Sequence, residues 1–394
     1  MNKKHRLNVL YTNIGRGHPY YLDGIIESIR KKHVDRIEIS VTDVFEISNG
    51  ISQLLWRLVR WLYRAGSQSG IIGKLYNIIR KGRNPNQSGL LEKLLARDIR
   101  KYINKDKCPT LVAHPILVPM LSDSVDVYYQ HGEIAIPDEA IVQKAGTVFI
   151  PLEGFKGKFT KAGLPEKNIV VTGLCVEPEL AAKSKEYYEN RLSRIKNGHS
   201  LCGGFFSSGA EPIQHIKKII PAVSSLSKSD GAAFIYCKKD GRLEREAKKL
   251  PNSRVIDNIN ELENINNLVE SNIISIITYR NRIEENNCTL KTFKYLDYFM
   301  APSHERTNWA IGLGLPMFIL FPIIGTFSPL NREFMLKRGV AVDLYTNQKA
   351  AGFSDLLSRL ASDGTLLKMS QNGYGKYDTN GFKTIADYLK GKLE

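Results

Sequence analysis

Four stretches of this chain place small, hydroxyl-bearing or titratable residues where a strand-like run gives way to a helix-like one. At such points an α/β sheet offers backbone amides to a ligand. The first is Gly15-Arg16-Gly17-His18. Its glycines Gly15 and Gly17 let backbone N–H groups approach a bound anion, and the imidazole of His18 suits a general base near neutral pH. The second is Gln130-His131-Gly132-Glu133, where His131 and Glu133 are further candidates for acid–base work. The third, Gly203-Gly204-Phe205-Phe206-Ser207-Ser208-Gly209, has the small residues of a diphosphate cradle, with Ser207, Ser208 and Gly209 as the contacts. The fourth, Pro302-Ser303-His304-Glu305-Arg306-Thr307-Asn308, gathers groups able to grip a sugar or a ribose in Ser303, His304, Glu305, Thr307 and Asn308. Each stretch also has an ordinary reading as a tight turn or a solvated loop. Their shared placement carries the argument.

That placement follows from the hydrophobic pattern. Residues 7–12, 36–42, 110–113, 125–130, 147–151 and 169–172 read as short strands, with helices over 20–31 and 90–103. A second cycle reads as strands at 199–206, 232–237, 273–278, 298–301 and 317–321, with helices over 212–226, 242–250 and 307–314. Strands alternating with helices predict parallel sheets covered on both faces, hence an α/β fold. A chain of 394 residues suits two such domains. The expected division is 1–178, a polar linker at 179–198, and 199–394, with the last helix able to pack back on the first domain. Two such domains facing each other would form a cleft at the carboxyl ends of their strands.

The five cysteines are scattered without paired spacing, which argues against a disulfide framework and a zinc site and fits a reducing compartment. No signal sequence is expected, and no apolar run is long enough to span a membrane. The formal charge of +16 implies an anionic partner, and its excess is concentrated around residues 53–107. Residues 51–64 form an amphipathic pattern, with Arg57, Arg60 and Arg64 on one side and Trp56 and Tyr63 at its border. With Trp61 at headgroup level as well, this is the pattern of a helix lying in a membrane interface, and residues 71–83 repeat the chemistry. A core helix with a solvated arginine edge is the plainer alternative. A nucleic-acid partner fits less well, because the basic residues are interleaved with long aliphatics.

In order and spacing, five stretches resemble the glycosyltransferase family of monogalactosyldiacylglycerol synthase and the lipid-linked N-acetylglucosaminyltransferase of peptidoglycan synthesis. Gly15-Arg16-Gly17-His18 is similar to its Gly-rich, His-ending loop, and His131-Gly132-Glu133 to its histidine-acidic segment. Residues 166–176, Gly314-Leu315-Pro316-Met317 with Phe321-Pro322, and Asn331-Arg332-Glu333-Phe334 with Gly339-Val340-Ala341 resemble three later segments. The resemblance implies a GT-B architecture: two Rossmann-like domains facing a cleft, the second holding the nucleotide sugar and the first the acceptor. It implies an inverting, metal-independent hexosyltransferase with no cofactor. The partners would be a UDP-sugar donor, a lipid or lipid-linked acceptor and an anionic membrane surface, with the protein peripheral on the cytoplasmic face. Two departures stand out. The family's ribose-binding glutamate falls here on or beside Trp309, and Leu174-Cys175 replaces a frequent proline before valine. A CDP-glycerol-type transferase and a catalytically inactive membrane-binding scaffold of the same fold are the rival readings.

Overall fold

The structure, a computed structural model, describes residues 4–66, 86, 89–227, 231–264, 269 and 273–394. The chain divides into two compact units, one formed by Met1–Pro178 with Asp378–Glu394 and the other by Glu179–Tyr377.

The first unit is built on a parallel sheet of β1 (His5–Tyr11), β2 (Ile37–Asp43), β3 (Thr110–Val112), β4 (Val127–Gln130), β5 (Thr147–Ile150) and β6 (Ile169–Val171). Their order is β2-β1-β3-β4-β5-β6. Every residue of β3, β4 and β5 is buried, as expected of strands covered on both faces. The helix Gly17–Lys32 presents Tyr21, Leu22, Ile25 and Ile29 to the core at helical spacing. The closing helix Gly381–Leu393 returns to this unit, where Phe382, Ile385 and Leu389 join the same core. Phe382 lies so close to Gly24 that a side chain there would strike its ring.

The second unit has a seven-stranded parallel sheet of β7 (Cys202–Phe206), β8 (Ala232–Lys238), β9 (Ser253–Ile256), β10 (Ile274–Tyr279), β11 (Tyr298–Ala301), β12 (Met317–Leu320) and β13 (Ala341–Leu344). Their order is β13-β12-β11-β7-β8-β10-β9. The sequence pattern predicts all of these strands except β9 and β13, which form the two edges of the sheet. The polar stretch read as a linker is helical at Pro178–Ala182 and Ser184–Lys196. In the latter helix Arg191 is fully buried. Its guanidinium donates to the carbonyls of Leu296 (3.1 Å), Leu313 (2.9 Å) and Gly314 (3.0 Å), which satisfy the buried donors.

Candidate functional site

In the interior of each sheet there is a point where successive strands are laid down on opposite sides. Open α/β sheets bind ligands in the crevice there, outside the carboxyl ends of the strands. In the first unit the switch lies between β1 and β3, because β2 sits on the far side of β1. The loop after β1 contains Gly15, whose φ of +78° is the left-handed conformation that favours glycine. A Cβ at this position would lie 2.6 Å from the Tyr63 hydroxyl oxygen. His18 follows in the first turn of the helix Gly17–Lys32 and is half-buried. Its ring centroid lies 4.6 Å from that of His114, with the planes tilted by 45°. His114 stands in the turn after β3, and its Nδ1 accepts a hydrogen bond from the Ile116 N–H at 3.3 Å. The switch point thus holds two imidazoles. Sequence reasoning missed His114, although an imidazole just after the strand predicted at 110–113 was the signal to follow.

His131, expected to do acid–base work, lies in the turn after β4. It is buried, its Nε2 meets the Ala135 carbonyl at 3.2 Å, and its Nδ1 meets the Tyr129 hydroxyl at 3.4 Å. The carbonyl can only accept, so Nε2 carries the proton. Burial lowers the pKa of His131 to about 4 and keeps it neutral. With both nitrogens engaged, His131 fixes the turn after β4. Gly132 in that turn packs directly under the Tyr21 ring, and Glu133 beside it is buried.

In the second unit the switch lies between β7 and β11, and two of the sequence-predicted stretches fall there. Gly203 and Gly204 lie inside β7, packed against Tyr298 and Leu296, so their smallness serves strand packing. The turn Ser207-Ser208-Gly209 remains as the cradle. Its two hydroxyl oxygens are buried without a hydrogen-bond partner among the described residues, and Gly209 is exposed with open space where a Cβ would stand. The loop after β11 is tied down internally. Ser303 Oγ meets Ser328 Oγ at 2.7 Å, Asn331 Nδ2 donates to the Ser303 carbonyl at 3.1 Å, and Thr307 Oγ1 donates to the His304 carbonyl at 2.7 Å. The Nε2 of His304 meets the Ile324 carbonyl at 3.0 Å, and the buried Nε2 of His215 meets the Pro322 carbonyl at 3.1 Å. Two imidazoles therefore hold the loop that follows β12. Arg306 is buried between Glu285 and Glu305, with its guanidinium 4.1 Å over the Phe206 ring. Asn308 is buried, as is Trp309, which stands among Phe206, Phe293 and Phe299. The side chains of Ser303, Glu305 and Thr307, expected to grip a ligand, thus hold the loop in shape. Among the described residues, no three His, Cys, Asp or Glu side chains converge as a metal ion would require.

The helix Gly50–Gly66 carries the basic amphipathic segment. Ile51, Leu54, Leu58 and Trp61 form a stripe at helical spacing with exposures of 58, 66, 48 and 58%. Arg57 is exposed beside it, and Arg60 is half-buried with its guanidinium 4.2 Å over the Phe45 ring. Trp56 corrects the expectation of a border residue at headgroup level, because it is fully buried against the helix Leu90–Asp106. The Arg64 side chain and the segment 71–83 lie outside the described residues. No helix among the described residues is long and apolar enough to cross a membrane.

Two Rossmann-like units with these strand orders make this an α/β protein of the GT-B fold, and solved structures share the fold over almost the whole chain. S. aureus MnaA in complex with UDP is 13% identical, with a TM-score of 0.59, covering 99% of this chain and 97% of its own. The UDP-GlcNAc 2-epimerase from Neisseria meningitidis bound to UDP-GlcNAc is 13% identical, with a TM-score of 0.57 over 98% of this chain and 99% of its own. MurG from Acinetobacter baumannii is 12% identical, with a TM-score of 0.53 and the same coverage, 98% and 99%. Likeness at such identity defines the fold, and function resides in the sites. No protein-family model matches the chain, and no curated protein does.

Proposed function

We propose that this protein is an inverting glycosyltransferase that moves a sugar from a nucleoside-diphosphate donor, a UDP-sugar, to a lipid or lipid-linked acceptor at an anionic membrane surface. The observation that carries the reading is the chemistry at the two switch points: a half-buried imidazole, His18, in the first unit, and the Ser207-Ser208-Gly209 turn with its unpartnered buried hydroxyls in the second. The UDP and UDP-GlcNAc bound to two structural neighbours support a nucleotide-sugar ligand. The exposed apolar stripe of Gly50–Gly66 with Arg57 beside it supports a lipid surface.

The acceptor hydroxyl oxygen attacks the anomeric carbon on the face opposite the diphosphate. Its proton passes to the His18 imidazole as the new C–O bond forms. The bond from the anomeric carbon to the diphosphate oxygen breaks, the nucleoside diphosphate leaves, and the configuration inverts. Ser207 and Ser208 hydroxyls and nearby backbone amides, including those at Gly209, donate to the departing charge. Gly15 and Gly17 keep the β1 loop low enough for substrate to approach.

The rival is a UDP-sugar epimerase, favoured by the epimerases among the structural neighbours. One assay separates the two: purified protein is incubated with a panel of UDP-sugars, with and without vesicles containing diacylglycerol and membrane lipid extract. A transferase releases UDP and glycosylates lipid only when acceptor is present. An epimer of the donor formed without acceptor would replace the proposal with the rival. In the transferase, His18→Ala should lower turnover about 100-fold or more while donor binding persists.

A further inference from the structure

We propose that His114 is a positioning residue for His18, a role that rests on the reading of His18 as the acceptor base. The two rings lie 4.6 Å apart, centroid to centroid, His18 in the first turn of the helix after β1 and His114 in the turn after the adjacent strand β3. These two turns bound the switch point of the sheet, so a substrate entering the crevice meets both.

The protonation state of His114 follows from its own bond. Its Nδ1 accepts from the Ile116 N–H, and only an unprotonated nitrogen can do so. The proton of the neutral ring is therefore on Nε2. His18 packs against the imidazole ring of His114. The contact limits the swing of a side chain held by one residue of the first helical turn. Pro115 and the bond to Ile116 fix the turn that carries His114, so the buttress is rigid. A base held this way needs no reorganisation when substrate arrives.

The first test needs no substrate. Histidine Cε1–H resonances of the full chain are recorded by NMR at neutral pH, with His18 assigned by its loss in His18→Ala. In His114→Ala the His18 resonance should shift, while those of His131 and His215 stay in place. His114→Phe, which keeps a ring, should move His18 less than His114→Ala does. An unmoved His18 resonance in His114→Ala overturns the proposal.

The second test is kinetic. His114→Ala should lower kcat roughly 10-fold or more with the donor KM unchanged, and His114→Phe should recover part of the loss. The same replacement should cost nothing further in a His18→Ala background. An equal loss in that background would mean that His114 acts independently of His18, and the proposal would fall. Should His18→Ala alone leave turnover unchanged, the assignment of the base fails, and the NMR result still decides whether His114 positions the ring.

Discussion

The indole Nε1–H of Trp56 donates to the Leu95 carbonyl at 3.2 Å, and the Ser52 hydroxyl, one helical turn earlier, donates to the same carbonyl at 3.1 Å. These two bonds fix which side of Gly50–Gly66 faces the first unit. The Ile51, Leu54, Leu58 and Trp61 stripe lies on the other side, exposed. One helix thus carries two apolar faces with separate tasks, and mutations should separate them. Trp56→Ala should cost about 3–5 kcal/mol of stability, measured by urea unfolding, because it empties a buried site.

Leu54→Gln with Leu58→Gln should leave the urea midpoint nearly unchanged and sharply reduce co-sedimentation with anionic liposomes. Reversing Arg57 and Arg60 to Glu should weaken binding by about 1 kcal/mol for each cation lost, with the difference shrinking as salt rises. Arg60 will be the less clean probe, since it also covers Phe45. Wild-type protein that ignores anionic liposomes at low salt would remove the membrane from the proposal.

The buried imidazole of His131 makes stability depend on pH. Its pKa is lowered from the ordinary 6.5 to about 4, so the unfolded chain binds the proton more readily than the folded one. Stability therefore rises with pH through this group: it is fully present above about 6.5 and is lost progressively as pH falls towards about 4. The loss amounts to a few kcal/mol, on the order of 1.4 kcal/mol for each tenfold difference in proton affinity between the folded and unfolded chain. His215, lowered to about 4 by the same cause, adds in the same direction and the same window. His131→Gln keeps a donor for the Ala135 carbonyl and does not titrate. Urea midpoints between pH 7 and 4 should fall less steeply in this variant, and an identical slope would mean that His131 is already charged in the folded protein.

The parallel sheets were readable because β3, β4, β5 and β7 are short, predominantly apolar runs bounded by turns, and every residue of them is buried, as in strands covered on both faces. The edge strands of the second unit were not. In β9 only Ile256 is buried, and β13 carries Asp343, whose carboxylate is held by Arg332 at 2.6 and 2.9 Å. Each has a partner on one side alone, so the pattern that marks a central strand is missing. The sites were legible at the level of loops, since turns after strands announce themselves by composition. Which side chain faces a ligand was not. Glu305 and Trp56 have the composition of contact residues, and only tertiary packing sends one to Arg306 and the other to Leu95.

The buried Arg306 is shared by two carboxylates, and its removal would take the same partner from both. Arg306→Met should destabilise the protein by about 3–5 kcal/mol, because the buried Glu285 and Glu305 would both lose the guanidinium they share. Adding Glu285→Gln and Glu305→Gln to that variant should return much of the loss, since neutral amides need no counter-charge. The urea midpoints of the single and triple variants decide this, and equal midpoints would mean that the carboxylates are relieved in another way.

Gly209 offers the sharpest probe of the second unit's switch point. A Cβ there meets no atom within 4 Å, and its φ is not in the left-handed range, so Gly209→Val should fold with an unchanged Tm. Its isopropyl group would instead occupy the open space at the Ser207-Ser208-Gly209 turn, where the proposed diphosphate binds. Thermal-shift titration with UDP reads the consequence directly, because a ligand that binds only the folded state raises Tm by mass action. Wild-type protein should be stabilised by UDP, and Gly209→Val should need at least about 10-fold more for the same shift, a loss of roughly 1.4 kcal/mol of binding. Ser207→Ala with Ser208→Ala should weaken UDP as well, without the crowding, by removing two donors. If Gly209→Val binds UDP with wild-type affinity, the nucleotide does not sit on this turn, and the loop after β12, held by His215 and His304, becomes the next place to look.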